Sequence, residues 1–162
     1  MRQFKGLREA IPGKKGRYVG QGSYDFVIRE VKITGRSDNF FCAELGIIAC
    51  DDAVDDQGQP FKVGDVATYM INLAGKYPDM ALGDVKAFML GLDPDLDMDQ
   101  IESSAAELVG PGQPAKGVGI HCRAITKPQR DNPDRGFTFC DWSPAARSFY
   151  VEHAEAIKAA LK

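Results

Sequence analysis

The alternation of apolar and polar residues predicts five β-strands in this chain of 162 residues. In the first segment, GSYDFVIREVKITG, apolar residues occupy every second position and then change phase after Arg29 and Glu30. A change of phase inside a long strand indicates a β-bulge, where one extra residue turns the following side chains to the other face. The apolar positions before and after the change are Tyr24, Phe26 and Ile28, then Val31 and Ile33.

The remaining apolar pattern predicts four more strands and three helical segments. Turn residues and acidic loops separate the strands, which lie in segments 39–50, 65–73, 115–127 and 137–142. Apolar residues recur at helical spacing in segments 79–93 and 98–109, between the third and fourth strands. A last helix is predicted over 144–162, with Ser143 as its N-cap and Pro144 at its first position.

Two adjacent phenylalanines open the second strand, and they cannot both enter the same core. Neighbouring side chains of a strand point to opposite faces. Phe41 shares a face with Leu45 and Ile47, so Phe41 is predicted to be buried. Phe40 then lies on the mixed face with Glu44, beside a basic loop, although Ile48 on that same face leaves the reverse assignment open.

This order of elements predicts a mainly β fold with helices. Three strands, a helical segment, two strands and a C-terminal helix are the element order of an OB-like five-stranded Greek-key barrel. A long first strand with a bulge fits such a barrel, which uses that strand on both sides. The predicted organisation is a basic lead-in over residues 1–20, a barrel domain over 21–143 and the C-terminal helix over 144–162.

The net charge of −3 conceals a strong segregation along the chain. Residues 1–36 carry nine basic and three acidic side chains, and residues 111–162 carry eight basic and five acidic ones. Residues 37–110 between them carry only three basic and fifteen acidic side chains. A fold that joins the two ends would have one basic and one acidic side, and the basic side would suit a polyanion. The alternative is that the charges are scattered over a solvated surface.

Several other classes of protein do not fit the sequence. No apolar run approaches the roughly 18 residues that span a membrane, and the N-terminus lacks the apolar core of a secretion signal, so a cytoplasmic protein without membrane contact is expected. The four cysteines form no C-x-x-C pair and are expected to be buried thiols, without a metal or other cofactor. The aspartates at 93, 95, 97 and 99 lack the glycine and glutamate of a calcium loop.

The feature that remains is the interleaving of aromatic and basic residues. Cationic groups follow the phosphates of a single strand, and aromatic rings stack on its unpaired bases. In an OB-fold, the face of strands two and three and the loops after strands one and four bind oligonucleotides. The fifth strand contains Phe137, Phe139 and Trp142, and Trp142 is the one predicted to bind. The predicted binding residues are Lys32, Arg36, Phe40, Tyr69, Lys76, Tyr77, Arg123, Lys127, Arg130, Arg135 and Trp142.

The segments GSYDFVIREVKI, NFFCAELGI and DVATYMINLAGKYPDMALGDVKAFMLGL, followed by ELVGPGQPAKGVGIHCRA, resemble phage-encoded single-stranded-DNA-binding proteins of OB-fold type. The shared features are a Gly-x-Tyr opening strand, a short helix after the third strand and an LVG step before the fourth, over about residues 20–142. The resemblance implies coating of single-stranded DNA during replication or recombination, without catalysis. Many such proteins end in an acidic tail that recruits partners, whereas this chain ends in IKAALK.

The leading hypothesis is therefore sequence-tolerant binding of single-stranded DNA, with replication or recombination proteins as further partners. Its first rival is a non-catalytic protein-interaction module, which the acidic middle of the chain favours. Its second rival is a metal-dependent nuclease built on the aspartates at 93–99, but alternating aspartates at a helix start do not converge on one metal ion.

Overall fold

A computed structural model describes residues 16–128 and 136–162 of the chain. In these residues, five antiparallel strands form one sheet, and four α-helices pack around it. The strands are β1 (Gly22–Thr34), β2 (Phe40–Asp51), β3 (Val66–Asn72), β4 (Gly119–Pro128) and β5 (Gly136–Pro144). The helices are α1 (Pro78–Leu92), α2 (Ile101–Leu108), α3 (Arg147–Glu152) and α4 (Ala154–Ala160).

The sheet is open, with strand order β3-β2-β1-β4-β5. The mainly β fold, the five strands and the helical segment between the third and fourth strands are as predicted. The closed barrel is not seen, because β3 and β5 share no backbone pairing in the described residues. Residues 17–19 instead pair with part of the outer edge of β3. The Val19 amide donates to the Thr68 carbonyl at 3.0 Å, and the Thr68 amide donates to the Arg17 carbonyl at 2.8 Å.

The predicted bulge in the first strand is confirmed. The pairing of β1 with β2 shifts register between Ile28 and Glu30, at the point where the apolar phase changes. Before this register shift, β1 pairs with both β2 and β4. After the shift, β1 pairs with β2 as its only neighbouring strand. The Gln113 side chain covers the exposed edge there, since its amide accepts from the Val31 amide at 2.8 Å and donates to the Val31 carbonyl at 2.7 Å.

The main core lies between the inner face of the sheet and α1. Phe41 is buried there, as predicted, and its ring centroid lies 5.7 Å from that of Phe88 on α1. Helix α1 lies so close to β5 at Gly91 that a Cβ atom on this residue would clash with Trp142. The small residue at position 91 therefore sets how deeply the helix seats against the sheet.

The C-terminal segment covers the opposite face of the sheet. Its predicted helix start at Ser143–Pro144 is wrong, because these residues extend β5 and pair with His121 and Ile120. The segment then forms two short helices, α3 and α4, which meet at His153. Phe149 packs against Val27 and Ile48, so the outer face of the sheet has a small apolar core of its own.

The last residues of the predicted lead-in belong to the fold. The Arg17 guanidinium binds Asp55 at 2.9 Å and Asp65 at 3.0 Å, and thereby fixes residues 17–19 beside β3. Burial alone would raise the pKa of the Asp55 carboxyl, but hydrogen bonds from Arg17 and from the amides of Gln59 and Gln57 outweigh it and lower that pKa. Asp55 is thus the anchor of the acidic loop between β2 and β3.

None of the helices in segments 16–128 and 136–162 is both long and apolar enough to cross a membrane.

We expect Asp55→Asn to lower the free energy of unfolding by roughly 1–3 kcal/mol near neutral pH, because the hydrogen bond from Arg17 loses its charged carboxylate acceptor. The folded-state pKa of Asp55 lies below its unfolded value, so this stabilisation is present above about pH 4 and disappears as the pH falls through the folded-state value. Urea denaturation at neutral and acidic pH measures the difference, with exposed Asp51→Asn as the control. Equal effects of the two substitutions, or a difference that persists in acid, would contradict the assignment.

Candidate nucleic-acid interface

The outer halves of β4 and β5 form a two-stranded arm with two chemically different faces. Cross-strand pairing places Ile125 opposite Phe139 and Lys127 opposite Phe137, so these four side chains share one face. The other face carries Thr126 and Thr138, whose hydroxyl oxygens lie 2.9 Å apart, and continues into the core through Cys140 and Trp142. The register of the hairpin therefore decides which aromatic residues meet solvent.

The face with Phe137 and Phe139 is both aromatic and cationic. The two residues are 54% and 53% exposed, and Ile125 beside them is also exposed. Lys127 and Arg123 are exposed on the same face and form no ion pair with a described residue. Below, these five residues, Arg123, Ile125, Lys127, Phe137 and Phe139, are called the arm face.

Trp142, one of the predicted binding residues, is buried in the core and is not part of the arm face. Trp142 is only 8% exposed, and its ring lies 4.9 Å from that of Tyr69, 5.0 Å from Phe88 and 6.2 Å from Phe26. Trp142 follows Phe137 by an odd number of residues, so it points to the opposite face of β5. The sequence already holds this signal, because Phe137, Phe139 and the charged Asp141 share one phase of the strand and Trp142 the other.

A groove of about 340 Å³ lies between β3 and β5, which do not pair with each other in the described residues. Phe40 and Tyr69 both line it, so the structure brings together two of the predicted aromatic residues. Tyr69 is only partly available, because its ring packs against the core. Burial raises the pKa of its hydroxyl further above the physiological range, so the group stays neutral and can act as a hydrogen-bond donor. The other lining residues are Tyr18, Val19, Thr68, Met70, Asn72, Thr138 and Cys140.

The first hairpin places Lys32 and Phe40 on the same outer face of the sheet. Phe40 is half-buried, as its predicted position on the mixed face suggests. The Lys32 amino group lies 3.7 Å from the carboxylate of Glu44, which Arg29 also approaches at 3.9 Å. Such exposed pairs are weak, so Lys32 can exchange this carboxylate for a phosphate at little cost.

Arg36, Lys76 and Tyr77 lie near the same end of the sheet. Arg36 is exposed in the loop between β1 and β2. This loop lies beside the end of β3, because the Asn39 carbonyl accepts a hydrogen bond from the Leu73 amide at 2.7 Å. Tyr77 is 61% exposed, and the Lys76 amino group lies 5.7 Å from its ring centroid. Arg130 and Arg135, the two remaining predicted residues, lie outside the described residues.

In residues 16–128 and 136–162, no group of three or more histidine, cysteine, aspartate or glutamate side chains is placed to hold a metal ion. His121 Nδ1 lies 2.8 Å from the carboxylate of Asp25 on the outer face of the sheet, where the pair ties β4 to β1. The aspartates at 93–99 hold only local turns, in which Asp93 and Asp97 accept from the amides two residues ahead.

No protein-family model matches the chain, and no curated protein matches its sequence.

We expect Trp142→Ala to lower the free energy of unfolding by roughly 3–5 kcal/mol, because it removes the ring that packs between β3, β5 and α1. Phe139→Ala, three residues earlier on the exposed face, should change stability by about 0.5 kcal/mol or less. Urea denaturation of the two variants tests the placement of both rings. A larger loss for Phe139→Ala than for Trp142→Ala would show that the register of β5 is different.

Proposed function

We propose that this protein is an OB-like domain that binds single-stranded DNA without sequence preference and without catalysis, as an accessory to replication or recombination. The observation that carries the proposal is the arm face, where two exposed phenylalanine rings lie beside two basic side chains that no described acidic group pairs with. Isolated exposed rings are common on proteins, but two neighbouring rings on a projecting hairpin beside cations match the requirements of unpaired bases and phosphates.

The fold supports the proposal in two ways. The strand order β3-β2-β1-β4-β5 is that of a five-stranded Greek-key barrel opened between its third and fifth strands, and OB-folds are partly open barrels. Arg36 lies in the loop after the first strand and Phe40 on the second strand, which are among the elements that bind oligonucleotides in such folds. The arm face lies on the two strands that flank the loop after the fourth strand, another of these elements.

The distribution of charge around the arm suggests which end of it the DNA uses. Arg123, at the base of the arm, shares a shallow depression with Asp51 and Asp52, and Asp141 lies opposite it across the strands. These carboxylates repel phosphates. Lys127 lies nearer the tip, opposite Phe137, so the outer end of the arm is the more favourable site for a polyanion.

We expect Phe137→Ala and Phe139→Ala each to weaken the binding of an oligo-dT strand by about 1–3 kcal/mol, roughly the value of one stacked base. Fluorescence anisotropy with labelled oligo-dT measures the change. Leu82→Ala is the matched control, since Leu82 is an equally exposed apolar residue on α1. If both phenylalanine variants bind like the control, the arm face is not the binding surface.

Salt dependence tests the role of the cations separately. On single strands the logarithm of the binding constant falls with the logarithm of salt concentration by about 0.7 per neutralised phosphate. Lys127→Gln should therefore reduce the slope by roughly 0.7, whereas Arg123→Gln should reduce it less because of its acidic neighbours. Lys158→Gln on α4 serves as the control. An unchanged slope for Lys127→Gln would remove this residue from the interface.

The second candidate function is a protein-interaction module. The same arm face favours it, because Ile125, Phe137 and Phe139 form an exposed apolar surface of the kind that proteins also bind. The two functions differ in their response to salt, since rising ionic strength weakens phosphate binding but does not weaken apolar docking.

A further inference from the structure

An apolar pocket lies on a different side of the molecule, between α1, α2 and the segment that leads into β4. Its volume is about 310 Å³. Met89 and Leu92 of α1, together with Leu108 of α2, supply much of its apolar lining, which Leu96, Pro114, Ala115 and Val118 complete. A pocket of this size and composition accommodates one or two large apolar side chains.

The rim of this pocket is strongly acidic. Asp93 and Glu107 line it directly, and residues 93–107 carry six acidic side chains and no basic one. All six acidic residues are exposed, and none forms an ion pair with a described residue. An occupant with apolar anchors among positive charges would therefore complement both the floor and the rim.

The chain itself contains such a segment. Residues 1–15, which precede the described part, carry five basic side chains and one acidic side chain. After Met1, the large apolar residues of this segment are Phe4, Leu7 and Ile11, which alternate with these charges. The basic residue that follows them, Arg17, is already bound by two carboxylates of the acidic middle of the chain, Asp55 and Asp65.

We propose that residues 1–15 dock at the pocket between α1 and α2 of the same molecule, with one or two of the side chains of Phe4, Leu7 and Ile11 inside it. This interaction needs no nucleic acid, so it stands or falls independently of the proposed function. It would hold five positive charges on the acidic side of the molecule.

The length of the segment permits this contact within one molecule. Gly16 lies twelve positions after Phe4, and an extended chain over that distance reaches roughly 40 Å. A compact domain of 162 residues is about 40 Å across. A tethered segment also acts at an effective concentration in about the millimolar range, so even weak complementarity is enough for docking.

Methionine-methyl NMR of the full-length chain tests the proposal. Met89 is buried in the wall of the pocket, whereas Met70 lines the groove beside β3 and reports on the remainder of the fold. We expect the triple substitution Phe4→Ala, Leu7→Ala and Ile11→Ala to displace the Met89 resonance by more than a linewidth and to leave Met70 in place. Gln3→Ala is the control and should move neither resonance.

Salt and dilution complete the test. Raising the salt concentration should move Met89 of the native chain toward its position in the triple variant, because the rim contacts are electrostatic. Glu107→Gln should cause part of the same movement. An unchanged Met89 resonance in the triple variant would overturn the proposal. If the Met89 resonance of the native chain moved with protein concentration, the segment in the pocket would come from another molecule, which would contradict docking within one molecule.

Discussion

The packing of three aromatic rings, Tyr69, Phe88 and Trp142, holds together the two ends of the sheet. No backbone hydrogen bonds join β3 to β5 in the described residues, yet the rings of Tyr69 and Trp142 lie 4.9 Å apart, and Phe88 of α1 contacts both. Side-chain packing in this way replaces the strand pairing that would close a barrel. The groove between β3 and β5 exists because the edges are brought together without being joined.

This packing also determines which side chains of β5 are exposed to solvent. Trp142 turns inward to complete the ring cluster, so every second residue before it along β5 turns inward too. Phe137 and Phe139 are consequently directed outward on the arm, opposite the basic and apolar residues of β4. The same alternation that stabilises the core thus creates the exposed rings.

Local features of the fold were predictable from the sequence, whereas the long-range ones were not. The bulge near Ile28, the burial of Phe41 and helix α1 follow from periodicity within single segments. The open seam depends on residues 17–19 pairing with Thr68, a contact between distant segments that no local pattern encodes. Trp142 is buried because strand phase, and not the type of ring, decides which side chains of β5 face the core. The helix does not start at Ser143 because Ser143 and Pro144 pair with β4, and this pairing outweighs a good capping sequence.

The central claim is that the arm face recognises unpaired bases. It is tested most directly by competition between a single-stranded oligonucleotide and its own duplex for the full-length protein, at low and at moderate salt. The account predicts that the single strand competes far more strongly at both salt concentrations, because a duplex offers its phosphates but keeps its bases stacked. Equal competition by the two would show that only the phosphate charge is recognised and would contradict the account.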